Sequence, residues 1–167
     1  TLEYHVSGGD HGANFRCMEI APNGDVYIAS YNGHITIDRA SGGAIVTATS
    51  ATRQWNALAI DNAGNAWASD QNYCYKQTNG VGTFEILFPD ALISVDSMAI
   101  AQNGDVWLAY GSDLYKIPTG TVSAEPMVTG FPTTINRITK APDNDMYVMY
   151  GNSNIVRFPA GTETSAD

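Results

Sequence analysis

One pattern recurs four times at a spacing of 40 residues, and it constrains the fold more than any other feature of the chain. The copies run Met18-Glu19-Ile20-Ala21-Pro22-Asn23-Gly24-Asp25-Val26-Tyr27, Leu58 to Trp67, Met98 to Trp107 and Ile138 to Tyr147. Gly24, Gly64, Gly104 and Asn144 keep the period, and so do Tyr27, Trp67, Trp107 and Tyr147. No insertion breaks the count between residues 16 and 147. Such regularity describes one supersecondary unit that buries its apolar faces by stacking on its neighbours.

A unit of about 40 residues has the period of a four-stranded propeller blade. Each copy opens with a short apolar strand, as in Met18–Ala21 or Met98–Ala101, and turns at Asn23-Gly24, Ala63-Gly64, Asn103-Gly104 or Asp143-Asn144. Gly and Asn tolerate the positive φ of a tight hairpin, which accounts for their recurrence there. Second strands follow at Val26–Ile28, Ala66–Ala68, Val106–Leu108 and Met146–Val148, and third strands at His34–Ile37, Tyr73–Lys76, Leu114–Ile117 and Ile155–Phe158. These runs are almost continuously apolar, as expected of strands covered on both faces. Fourth strands are expected at Ala44–Thr49, Phe84–Phe88 and Pro126–Thr129, where proline is tolerable because the outermost strand of a blade is an edge.

The fourth copy lacks this outer strand, since its tail reads Glu163-Thr164-Ser165-Ala166-Asp167. Leu2-Glu3-Tyr4-His5-Val6 lies in register with the missing element. The expectation is therefore an all-β, four-bladed propeller of four-stranded antiparallel blades, closed by the N-terminal strand. A single domain over 1–167 would hold blades at 16–51, 56–92, 96–131 and 136–159, the last completed by 2–7. Matching ends favour a self-closed monomer, and exchange of N-terminal strands between two chains, giving an eight-bladed ring, is the alternative.

Composition excludes some functions. With 8 basic against 17 acidic residues the net charge is −9, which disfavours nucleic acid and anionic membranes as partners. No apolar run is long enough to cross a bilayer, so membrane insertion is not expected. The chain begins at Thr1 without a leader, which reads as a processed product or an excised fragment. A polar surface with few charges suggests an extracellular or virion-associated protein. Cys17 and Cys74 fall at non-equivalent positions of different copies and read as small packing residues rather than a disulfide or metal pair.

The strings Ala-Pro-Asn-Gly-Asp-Val-Tyr at 21–27, Asn-Gly-Asp-Val-Trp at 103–107 and Trp-Asn-Ala-Leu-Ala-Ile-Asp at 55–61 resemble the blade signatures of several propeller families. These are the streptogramin-lyase-like, NHL-repeat, gluconolactonase-like and sensor-regulator propellers, and the resemblance covers residues 16 to 159. Members usually carry five to seven blades, where this chain has four copies. In gluconolactonase-like proteins, positions similar to Asn56, Asp96 and Asn136 hold a divalent metal, so the resemblance implies these three as metal ligands, calcium being the hard cation their oxygens suit.

The repeat itself singles out Arg16, Asn56, Asp96 and Asn136, which precede the innermost strands and so should ring the channel mouth. A divalent site, a polar plug that braces loops, and a site for a small polar ligand are all open. Arg16 stands where the family's acidic ligand would be expected, and it could pair with Asp96 across the mouth. The turns Asp61–Asn65 and Asp143–Asp145 look like calcium loops but lack the closing glutamate of an EF-hand. Tyr27, Trp67, Trp107 and Tyr147 read as inter-blade core. Trp55, beside the ring, reads either as a cap on the core or as a stacking platform for a sugar, and Tyr110 and Tyr150 could face a partner. Of His5, His11 and His34, only His11 lies near the proposed mouth. No catalytic spacing of Ser/His/Asp or Cys/His type is present, and no catalytic residue is assigned.

The function expected is a non-enzymatic binding module of a larger assembly, contacting a glycan or protein partner through Arg16, Asn56, Asp96, Asn136, Trp55 and His11. The rivals are a divalent-metal-dependent hydrolase or lyase using Asn56, Asp96 and Asn136, and a purely structural repeat protein.

Overall fold

The computed structural model describes residues 14–31, 33–42, 45–49, 52–80, 82–88 and 94–162. Every regular element among them is a β-strand. Blade one consists of β1 (Asn14–Ile20), β2 (Val26–Tyr31), β3 (Ile35–Asp38) and β4 (Val46–Thr47). Blade two consists of β5 (Ala57–Ile60), β6 (Ala66–Ser69), β7 (Cys74–Gln77) and β8 (Glu85–Phe88). Blade three consists of β9 (Ser97–Ile100), β10 (Val106–Tyr110), β11 (Asp113–Ile117) and β12 (Glu125–Val128), and blade four of β13 (Ile135–Lys140), β14 (Met146–Tyr150) and β15 (Asn154–Phe158). All pairings within blades are antiparallel between consecutive strands. The protein is a four-bladed β-propeller.

The repeat period survives in the registers. Ile20 pairs with Val26, Ile60 with Ala66, Ile100 with Val106 and Lys140 with Met146. At the intervening turns Gly24, Gly64 and Gly104 have φ of 86°, 81° and 88°, and Asn144 reaches 70°. Asn is among the few residues that enter this region routinely, so it can stand in for Gly in the fourth blade. The segment Leu2–Val6, with His5, and also His11, lie outside the described residues.

Three apolar cores hold the blades together. Between blades one and two, Tyr27, Ala29, Ile35 and Ile37 pack on Leu58, Ala66, Ala68 and Tyr75. Between blades two and three, Trp67 and Cys74 pack on Met98, Val106 and Leu108. Between blades three and four, Trp107, Ala109 and Leu114 pack on Ile138, Met146, Val148 and Phe158. Each blade thus offers a leading face to its predecessor and a trailing face to its successor. Among the described residues no fourth core joins blade four to blade one. There Met18 and Ile20 on blade one are 61% and 65% exposed, and Ile155 on blade four is 62% exposed.

Tyr27, Trp67 and Trp107 are core residues as expected, at 5% exposure or less, whereas Tyr147 on the free trailing face is half-buried. Cys74 is buried and Cys17 half-buried, and both are free thiols. Burial pushes each thiol up to about 12, aided at Cys17 by the neighbouring Glu19 and at Cys74 by Asp70. Neither is a reactive thiolate at neutral pH.

Candidate functional site

The four residues that the period singled out do converge. Arg16, Asn56, Asp96 and Asn136 line one opening of about 200 Å³ together with Thr134 and Ile135. Behind it runs a channel of about 500 Å³ walled by the innermost strands of all four blades. The local cause is a bulge. Phe15 pairs with Ser30 and Cys17 with Ala29, which leaves Arg16 as the extra residue, and Asn136 is the extra residue between Ile135 and Arg137. In blade two the amide of Asn56 donates to the Ser69 carbonyl at 2.8 Å, although Ala57 is the residue that pairs with Ser69. Asp96 repeats this with Ala109 at 3.0 Å. An extra residue interrupts the in-out alternation of a strand and re-aims its side chain, here toward the mouth.

Within the ring the four side chains differ in how they are held. Arg16 lies over the Tyr31 ring at 5.0 Å, a cation–π contact that keeps its charge at the rim. Desolvation by the channel walls raises Asp96 above the usual carboxylate range, and the positive field of Arg16 opposes that shift. Arg16 and Asp96 thus interact through space across the mouth. The Asn136 side-chain amide donates to the Gly151 carbonyl, and Asn56 is half-buried. Deeper in the channel, burial raises Glu19 while Arg137 opposes the rise. The lining therefore carries both signs of charge, Arg16, Arg137 and Lys140 against Asp96 and Glu19.

Trp55 is not part of this surface. It is fully buried, its indole N–H donates to the Gly33 carbonyl at 3.2 Å, and its ring meets Tyr75 edge-on at 5.1 Å. Of the two readings of Trp55 this leaves the cap on the core, because a ring without exposed area has no face on which a sugar could stack. Tyr110 and Tyr150 are half-buried and pack against Tyr115 and Phe131 respectively. His34 sits between the hydroxyls of Thr49 and Thr52, at 3.3 and 3.5 Å.

The residues at the mouth are poorly suited to a divalent ion. Asp96 is the single anion of the four, and a permanent cation acts on it. Among the described residues no three His, Cys, Asp or Glu side chains gather at metal-binding spacing. The calcium-like turns use their carboxylates internally. Asp61 accepts hydrogen bonds from the amides of Ala63 and Asn65, from the Asn65 side chain and from the Trp67 indole. Asp143 accepts the Asp145 amide at 3.2 Å.

A set of structural residues escaped the sequence reading. The residue after each positive-φ turn residue folds back to the loop that leaves the third strand. Asp25 accepts the Ala40 amide at 2.9 Å, Asp105 the Thr119 amide at 2.8 Å and Asp145 the Ala160 amide at 2.9 Å. Asn65 does the same for the Asn79 amide at 3.1 Å. The Asn-Gly-Asp signature is a turn plus a clamp, which ties it to folding rather than chemistry.

The solved structures agree with the fold. The catalytically inactive H270A virginiamycin B lyase from Staphylococcus aureus with quinupristin superposes with a TM-score of 0.72 at 16% identity, over 99% of this chain and 58% of that one. YCF48 bound to D1 peptide superposes with a TM-score of 0.68 at 14% identity, over 98% and 55%. An auxiliary nutrient binding protein from Bacteroides thetaiotaomicron gives 0.71 at 13% identity, over 89% and 38%. Gluconolactonases are among the matches too, including one from Xanthomonas campestris at a TM-score of 0.70 and 10% identity. The resemblance to lyase-like and gluconolactonase-like propellers holds at the level of fold. This chain spans little more than half the length of such propellers, or less. No family profile and no curated protein sequence matches it.

Proposed function

We propose that this chain is a binding module that takes a polar segment of a protein partner at its channel mouth. The observation that carries the reading is the convergence of Arg16, Asn56, Asp96 and Asn136 on one opening, backed by a channel lined with both signs of charge. Backbone amides and carbonyls of a peptide match such a mixture of donors and acceptors, and its charged side chains would meet partners of opposite sign. A glycan is the weaker candidate, because Trp55 is buried and Tyr31 is already covered by Arg16. Propellers of the same fold include YCF48, which binds a peptide, and nutrient-binding proteins. A chain with only 15% charged residues suits a module of an extracellular or virion-associated assembly.

The test is a peptide array and a glycan array probed in parallel with the native chain and with Asp96→Ala and Arg16→Ala. Peptides retained by the native chain, and bound about tenfold more weakly by either variant, are the expected outcome. Retention of glycans alone, or of peptides equally by all three proteins, would defeat the reading. The rival hydrolase or lyase would need Asn56, Asp96 and Asn136 to hold a divalent ion. With Arg16 beside them, millimolar calcium or magnesium is expected to leave the melting temperature unchanged, and a rise abolished by Asp96→Ala would revive the rival.

A further inference from the structure

The free faces of blades one and four are matched surfaces, and this follows from the repeat. At the three formed junctions the leading-face residues Leu58, Ala66 and Ala68, then Met98, Val106 and Leu108, then Ile138, Met146 and Val148 are all at 6% exposure or less. Their equivalents in blade one are Met18, Val26 and Ile28. Met18 is 61% exposed and the other two are half-buried. Trailing faces behave alike. Ala29 and Ile35 in blade one, and Ala109 and Leu114 in blade three, are wholly buried. Their equivalents in blade four, Met149 and Ile155, are 37% and 62% exposed. One end of the array therefore presents an uncovered leading face and the other an uncovered trailing face, the two halves of a contact that the chain already makes three times.

We infer that these faces bind a second copy of the chain, so that two arcs join end to end around one axis into an eight-bladed ring. Blade four of each copy packs on blade one of the other, and the two-fold symmetric arrangement leaves no blade face uncovered. Two observations favour a second copy over an unrelated partner. The apolar residues at the free faces are of the types that pack at the existing junctions. The chain covers 55% and 58% of larger propellers on which almost all of it superposes, so the arc is about half of such a ring. Contiguous apolar surface of this kind is otherwise an association liability. The inference is independent of the channel-mouth reading.

Light scattering across a concentration series tests it. The expected species has twice the 17.9 kDa mass of the chain. Met18→Lys and Ile155→Glu should each raise the dissociation constant about tenfold or more, while circular dichroism stays native because both side chains are already exposed in one chain. Mixing the two variants should restore a dimer, since one junction is then native and the other joins Lys to Glu. A monomer at every concentration would overturn the inference. So would a dimer indifferent to both substitutions, or an open polymer that grows with concentration.

Discussion

The residue after each positive-φ turn residue does more than fill a hairpin. Asp25, Asp105 and Asp145 are buried at 4%, 6% and 4% exposure, and each satisfies a backbone amide on the loop beyond the third strand. Asp105 also accepts the Asn103 side-chain amide at 2.9 Å. Asp105→Ala would leave the Thr119 amide without its acceptor and should cost about 1–3 kcal/mol in urea unfolding. Asp105→Asn keeps one carbonyl oxygen, as Asn65 does in blade two, and should cost less than half as much. Equal losses for the two variants would show that charge rather than the clamp matters. The turn itself was legible in the sequence, because positive φ restricts residue choice to Gly and Asn. The clamp was not, because its partner is a backbone amide some 15 residues away that almost any residue supplies.

Blades differ in how completely they are covered. Blades two and three have neighbours on both faces, whereas blades one and four each expose one. Trp107 at 2% exposure meets Phe158 edge-on at 5.2 Å, and Trp107→Ala should cost roughly 3–5 kcal/mol. The equivalent Tyr147→Ala should cost less, since that ring is only half-buried. Denaturant unfolding of the two variants as dilute monomers checks the contrast, and similar losses would mean that Tyr147 is covered in solution. Native-state hydrogen exchange should rank β6 and β10 above β2 and β14 in protection. The strands were readable from near-continuous apolar runs of four to five residues. Which of their faces are covered was not, because all four copies carry the same kind of apolar pattern whether or not a neighbour is present.

Acid sensitivity belongs to the whole molecule, because two sets of carboxylates pull in opposite directions. Burial pushes Asp25 up, but the Arg39 hydrogen bond, the Ala40 amide and the Asn23 amide together hold it below its ordinary 3.8. The Ala160 amide, with Arg157, holds Asp145 low as well. Stability from a depressed carboxylate is complete above its unfolded value and is lost as pH falls through the folded one. Glu19 and Asp96, raised by desolvation from 4.5 and 3.8, cost stability while ionised, and protonation relieves that cost. Thermal unfolding should therefore change little, or rise slightly, as pH is lowered toward the ordinary carboxylate range. It should then fall below 3.8 as Asp25 and Asp145 are protonated. Asp25→Asn should flatten the acid limb, and an unchanged limb would remove Asp25 from this account.

The 40-residue period alone determined the blade, its turns, its inner strands and the four positions around the mouth, since periodic burial and positive φ restrict residue type locally. Tertiary structure decided the rest. It placed Trp55 inside the core rather than on the rim, because the indole finds its acceptor at Gly33 in the preceding blade. It turned Arg16 and Asn136 toward the mouth through bulges, whose extra residue appears only when two strands are paired. It also left Met18 and Ile155 in water. Their residue types match buried positions elsewhere in the chain, and only the arrangement of whole blades in space determines whether a neighbour covers them.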